Sequence, residues 1–219
     1  PIENDKNSLY NNNIGTICGD KNGHIYIRCK YAVVEYDIRK NIFHTIRNNN
    51  IQAIDYGNSR LWVCTRDSLF TYNRKEDKLE YYYHLDSVRI SCVTEDHEGN
   101  LYVGTMNKGL YIIDSNKKWL NYLPEKDITC IYEDSKKNIW VGTKDRNGVQ
   151  INYKDGPYKN RLSSNYIRCI VEDNQGNYWI GTFKGLDKLD TTNNITHYSE
   201  DNKPYSLSNS SIICMMKDQ

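Results

Sequence analysis

The 219-residue sequence has no apolar run near the length of about 20 residues that crosses a bilayer as a helix, so no membrane-spanning helix is predicted. It has no surplus of charge either, with 29 Lys and Arg against 28 Asp and Glu. That balance excludes nucleic acid or an anionic membrane as a partner held by bulk charge, and any electrostatic effect has to be local. None of the seven Cys forms a CxxC pair, which leaves a zinc site without support. No HExxH, GxSxG or phosphate-cradling glycine motif occurs. The five His (His24, His44, His84, His97, His197) fall at unrelated places. The opening PIENDKNSLYNNN has nothing of a signal peptide, and the chain reads as a piece excised from a longer protein. What the sequence has in quantity is Tyr, 19 of them, with 4 Trp. Despite 26% charged residues and a mean hydropathy of −0.80, this is enough to build a core, and a disordered chain is excluded.

A repeat dominates the rest. Aliphatic residues open successive units at Ile14, Ile51, Ile90, Ile128, Ile167 and Ile212, spaced 37, 39, 38, 39 and 45. A second landmark, the aromatic at Tyr26, Trp62, Tyr102, Trp140 and Trp179, recurs at 36, 40, 38 and 39. Within a unit, an apolar strand such as ITCIYED leads into a turn, DSKKN or DHEGN, rich in the residues that hairpins need. A second strand follows (IWVGT, LYVGT, YWIGT), then a short loop, a third strand (GLYIID, GLDKLD) and a looser fourth (KWLNYL, ITHYS). With no helical periodicity between strands, each unit is predicted to be a four-stranded antiparallel blade, and repeated blades make an all-β propeller. The whole of 1–219 is predicted to be one propeller segment. Its blades span 14–50, 51–89, 90–127, 128–166 and 167–211, and 212–219 is the first strand of a further blade.

The recurrent residues have mechanical roles. Asp20, Asp96, Asp134, Asp173 and Asp218 stand six positions after the opening aliphatic, where a carboxylate can accept N–H groups of the following turn. Trp62, Trp140 and Trp179 are expected to be buried between blades. Gly104, Gly142 and Gly181, two residues after the aromatic, are expected to permit close backbone approach. Unit two departs, with Cys64 at the glycine position and no turn Asp. Cys92, Cys130, Cys169 and Cys214 share one place in the repeat with Thr16 and Ala53, so they are predicted to be small, buried and unpaired.

The pattern aliphatic-x-x-aliphatic-x-E-D-x-x-G-N-x-W-[IV]-G-T-x-x-G-L, clearest at 167–186, resembles the two-component regulator propeller repeat. SLYNNNI at 8–14 and SLSNSSI at 206–212 resemble its inter-blade connection. The resemblance covers essentially the whole chain and is degraded in units one and two. It implies the periplasmic sensor region of a Bacteroides-type hybrid two-component system: seven-bladed propellers, often in tandem, then an immunoglobulin-like domain, a membrane helix, a histidine kinase and a DNA-binding response regulator. It further implies an oligosaccharide ligand, control of glycan-utilisation genes, and a homodimer in the intact receptor. The parent protein is expected to continue past the C-terminus and also before the N-terminus.

On topology, the loops between second and third strands share one face with the inter-blade connections. Every such loop carries a cation: Lys30, Arg66, Lys108, Lys144 with Arg146, and Lys184. The opposite-face turn DHEGN is acidic. Short exposed loops commonly carry Lys, but recurrence in all five predicts a basic rim that favours an anionic oligosaccharide, with Tyr31 and Tyr166 available to stack on a sugar ring. No cofactor, metal or bound nucleic acid is expected. The Glu-Asp pairs at 95–96, 133–134 and 172–173 belong to the repeat and so do not single out a catalytic carboxylate. A protein-interaction scaffold is the main alternative to a sensor, and a propeller lyase or glycosidase is a weaker one.

Overall fold

The computed structural model describes residues 8–9, 12–20, 22–47, 50–144, 148–152, 154–155, 161–201 and 206–217. Arg146 and Asp218 lie outside the described residues. The elements are all strands, in five four-stranded antiparallel sheets that follow chain order. The first contains β1 (Ile14–Gly19), β2 (His24–Cys29), β3 (Val33–Asp37) and β4 (Ile42–Arg47). The second contains β5 (Ala53–Gly57), β6 (Arg60–Cys64), β7 (Ser68–Asn73) and β8 (Lys78–His84). β9 (Ile90–Glu95), β10 (Leu101–Thr105), β11 (Leu110–Ile113) and β12 (Trp119–Tyr122) form the third. β13 (Ile128–Glu133), β14 (Ile139–Thr143), β15 (Val149–Ile151) and β16 (Lys154–Asp155) form the fourth, and β17 (Ile167–Glu172), β18 (Tyr178–Thr182), β19 (Gly185–Leu189) and β20 (Ile195–Tyr198) the fifth. The five sheets are four-stranded antiparallel blades, and the chain is all-β, as expected.

Two compact units are distinguished, one of residues 1–103 with 114–116, the other of 104–113 with 117–219. In the first unit β1 packs on β5 and β5 on β9; in the second β13 packs on β17. Burial follows strand rank. β10 and β14 are buried at every position, as sheets covered on both faces require, whereas the outer strand β12 is exposed throughout. Each unit has its own core, around Tyr26, Ile51, Ile54, Leu61 and Val63 in the first and Trp140, Val149, Ile167, Ile170 and Ile180 in the second. β1 is the exception among first strands, with Ile14 and Ile17 exposed, no preceding blade among the described residues covering it.

The turn aspartates form one repeated lock. Oδ1 of Asp134 accepts the backbone N–H groups of Lys136 and Asn138 at 2.9 and 2.8 Å, and Oδ2 accepts the Asn138 amide at 3.0 Å and the Trp140 indole N–H at 2.8 Å. Asp173 repeats this with Gln175, Asn177 and Trp179, and Asp96 with Glu98, Asn100 and the Tyr102 hydroxyl. The aromatic of the second strand is thus a hydrogen-bond donor as well as a packing residue. Unit two, lacking the Asp, sends the Trp62 indole N–H instead to Glu95 Oε2 of the next blade at 2.8 Å, with the Arg60 guanidinium 2.9 Å from Glu95 Oε1.

Trp62 and Trp140 are buried as expected, but Trp179 is only partly so. It stacks on Tyr198 and lines a cavity of about 490 Å³ with Met215 and Met216, because no sixth sheet lies over it among the described residues. Residues 206–217 form no strand, in contrast to the one expected from 212. Ile212 nevertheless docks as an opening residue should: its N–H donates to the Thr182 carbonyl at 3.1 Å and its side chain lies over Gly181, as that of Ile167 lies over Gly142. It has the contact of a first strand without a second strand to pair with. Cys29 and Cys64 are buried, whereas Cys92, Cys130 and Cys169 are half-buried and Cys214 exposed, so the four Cys at the shared place in the repeat are less buried than expected.

Candidate functional site

The face that carries the loops between second and third strands is built by one device. Thr105, Thr143 and Thr182 each donate their hydroxyl to a glycine carbonyl across the loop, of Gly109 at 2.7 Å, Gly148 at 2.9 Å and Gly185 at 2.9 Å. In the second blade the Thr65 hydroxyl donates to the Ser68 carbonyl at 3.4 Å, and in the first the Cys29 N–H donates to the Ala32 carbonyl at 2.8 Å. The glycines have φ of 78°, 65° and 151°, values that a side chain would strain. The threonine closes the loop from inside, and the described residues between it and the glycine are exposed, Met106, Asn107 and Lys108 in blade three, Lys144 in blade four, and Phe183 and Lys184 in blade five.

Those residues include the predicted cations. Lys30 and Arg66 belong to the first unit and Lys108, Lys144 and Lys184 to the second, and all five are exposed. Their places are not all equivalent. Lys30, Arg66 and Lys144 stand four places after the second-strand aromatic, where Met106 and Phe183 stand in blades three and five; Lys108 and Lys184 come later in their loops. Each unit also has a carboxylate among these connections. Asp67 accepts the Ser68 hydroxyl at 2.9 Å, and Asp127 accepts the Asn107 N–H at 2.7 Å. In the first unit Tyr31 is 46% exposed, with the Lys30 ammonium 5.0 Å from its ring centroid.

In the second unit Tyr166 is part of a denser group. Its ring stacks on that of Phe183, centroids 5.7 Å apart and planes within 12°. The Lys144 ammonium is 5.6 Å from the Tyr166 centroid, and the Arg168 guanidinium carbon lies 5.0 Å from Tyr166 and 5.5 Å from Phe183. The Phe183 N–H donates to the Tyr166 carbonyl at 3.0 Å, which fixes the two residues side by side. Sequence inspection for cations and tyrosines found Lys144 and Tyr166 but not Arg168 or Phe183. The repeat gave no signal at this place, which holds Gly15, Gln52, Ser91 and Thr129 in the earlier blades.

One arrangement has the composition of a hydrolytic triad without its geometry. Asp187, fully buried, has Oδ1 2.5 Å from the Ser163 hydroxyl and 2.6 Å from His197 Nδ1, and Ser163 Oγ is 3.1 Å from that same nitrogen. A base that activates serine must face it with one ring nitrogen and the carboxylate with the other. Here both contacts fall on Nδ1, so the group ties the connection before blade five to β19 and supplies no nucleophile. Among the described residues, no three His, Cys, Asp or Glu side chains are placed to hold a metal ion.

The chain matches the family model of the two-component regulator propeller over residues 84–107, 122–145 and 161–184. Each match runs from an inter-blade connection through the first two strands into the loop beyond, the portion that builds this face. Among solved structures the chain is similar to the extracellular domain of the hybrid two-component system BT3049 of B. thetaiotaomicron, at 25% identity and a TM-score of 0.79, covering 93% of this chain and 31% of that one. It is similar to the corresponding domain of BT4673 of the same organism at 20% identity and a TM-score of 0.73, covering 94% and 31%. A virginiamycin B lyase of Staphylococcus aureus shares the fold at 14% identity and a TM-score of 0.72, covering 89% of this chain and 73% of the lyase. Among curated proteins no match is found. The chain thus spans about a third of the length of the two-component ectodomains it resembles. It is a β-propeller segment that carries two-component regulator propeller repeats.

Proposed function

We propose that the chain is part of the extracytoplasmic sensor region of a hybrid two-component system, and that it binds an oligosaccharide derived from a glycan to control genes for using that glycan. The observation that carries this is the family match on three successive blades, joined by 25% identity to a two-component extracellular domain over 93% of the chain. The periplasm is then its compartment, further propeller and immunoglobulin-like domains its covalent neighbours, and a homodimer the signalling form. The lyase, at 14% identity, shares a fold and lends no chemistry. The Ser163–Asp187–His197 geometry likewise favours binding over turnover.

A ligand can signal only by binding one receptor state better than another. Titration calorimetry of the whole protein against a panel of oligosaccharides, with chromatography of the recovered sugar, tests this. Saturable binding of an unaltered sugar is expected. Turnover of the sugar, or capture of a protein partner with no sugar bound, would replace the sensor with an enzyme or a scaffold.

A further inference from the structure

Three places whose residue varies from blade to blade hold an aromatic ring or a guanidinium in the fifth blade, and the fold brings them together. The residue before the opening aliphatic is Asn13, Asn50, Arg89, Asp127 and then Tyr166; the one after it is Gly15, Gln52, Ser91, Thr129 and then Arg168. The residue four places after the second-strand aromatic is Lys30, Arg66, Met106, Lys144 and then Phe183. A residue kept for the fold would follow the repeat, as the turn aspartates do.

Arg168 is also specially placed. In the register of β17 on β18, Ile167 faces Thr182 and Cys169 faces Gly181, so Arg168 is the extra residue of a β-bulge. A bulge leaves its extra residue out of the ladder and re-aims its side chain. In blade four the same bulge holds Thr129, whose hydroxyl donates to the Ile167 carbonyl at 2.6 Å. Arg168 has no such use. Its buried Nε has no hydrogen-bond partner among the described residues, and its guanidinium lies over the rings of Tyr166 and Phe183. Burying a guanidinium edge unpaired costs free energy that cation–π contact offsets only in part.

We propose that Lys144, Tyr166, Arg168 and Phe183 form a binding site for an acidic sugar, uronate or sulfated. The fork of Arg168 and the ammonium of Lys144 take the carboxylate or sulfate, and Phe183, 48% exposed, offers its ring to the apolar face of the pyranose. The inference rests on the saccharide-sensing function and deepens it: the acidic group is read in the second unit, by residues of blades four and five, with Arg168 supplying selectivity.

The test is calorimetry of the whole protein against matched neutral, uronate and sulfated oligosaccharides, in wild type and in Arg168→Gln, the residue that blade two already carries at this place. Loss of roughly tenfold in affinity for the acidic sugar, with the melting temperature kept, is expected from removal of a charge-assisted pair. The uronate and sulfate arms identify which acid is preferred. Phe183→Met, which copies Met106, is expected to weaken the same sugar and serves if Arg168→Gln fails to fold. Equal affinity of wild type and both variants for the acidic sugar overturns the site. Binding of a neutral sugar alone, unaffected by either variant, overturns the site and leaves the sensor function standing. Binding of no sugar of any charge removes both.

Discussion

Lys137 holds φ at 70°, in the turn place that Gly23, Gly99 and Gly176 hold in the other blades with φ of 88°, 87° and 80°. A side chain there costs about 1–2 kcal/mol in the left-handed region, less the extra freedom that glycine has when unfolded. Lys137→Gly is therefore expected to stabilise by about 0.5–1 kcal/mol, read as a rise of about 2 °C in melting temperature. Gly142 has the opposite sensitivity. A Cβ there would lie 2.5 Å from Cys130 Sγ and 2.8 Å from Cγ2 of the fully buried Ile167. Gly142→Ala is expected to cost about 1–3 kcal/mol in urea unfolding, part of it recovered when Cys130→Ala opens the space. The sequence showed that this glycine recurs; only the structure shows that what approaches it is the sulfur of its own blade and the opening isoleucine of the next.

At the scale of the element, the latch between blades two and three is a substitute for a missing turn Asp. The Trp62 indole and Arg60 converge on Glu95, whose side chain is fully buried. Glu95→Ala should cost about 1–3 kcal/mol by leaving a buried indole N–H unpaired. Glu95→Gln keeps that acceptor and loses only attraction to Arg60, itself 44% exposed, so its cost should be under about 1 kcal/mol. Denaturant midpoints of the two variants distinguish them, and equal losses would show that charge, not the indole bond, carries the latch. Blade number, strand order and the opening residues were legible in the sequence because a 38-residue repeat states its landmarks several times over. The latch was not, since a residue 33 positions away in the next unit enters it. Nor was the Arg168 cluster, whose members are separated by 15 positions or more from Phe183 and share no motif. The expected strand at 212 had its docking residue, but strand pairing requires a partner that sequence periodicity does not supply.

For the whole molecule, buried carboxylates act in opposite directions on stability. Burial raises the pKa of Asp134 and Asp173, but the hydrogen bonds they accept prevail and hold both below the ordinary 3.8. Their contribution is complete above that value and is lost as pH falls through their depressed ones. Asp55 is pushed up to about 6 by burial, hydrogen bonds from Tyr56 and Thr94 opposing and the Glu95 charge adding to the rise. Its contribution is present below 3.8 and lost as pH rises through about 6. The difference in melting temperature between wild type and Asp55→Asn should therefore shift against wild type from pH 4 to pH 7, and Asp134→Asn should flatten the acid limb below pH 4. A parallel pair of curves in either comparison would rule out the assigned group.

The threonine-to-glycine clamp spans two residues in blade five, three in blade three and four in blade four, yet its hydroxyl bond is 2.7–2.9 Å in each. The clamp therefore isolates the length of the loop from the geometry of the blade. Residues of these loops can be added, removed or recoded one blade at a time without reopening the folding problem.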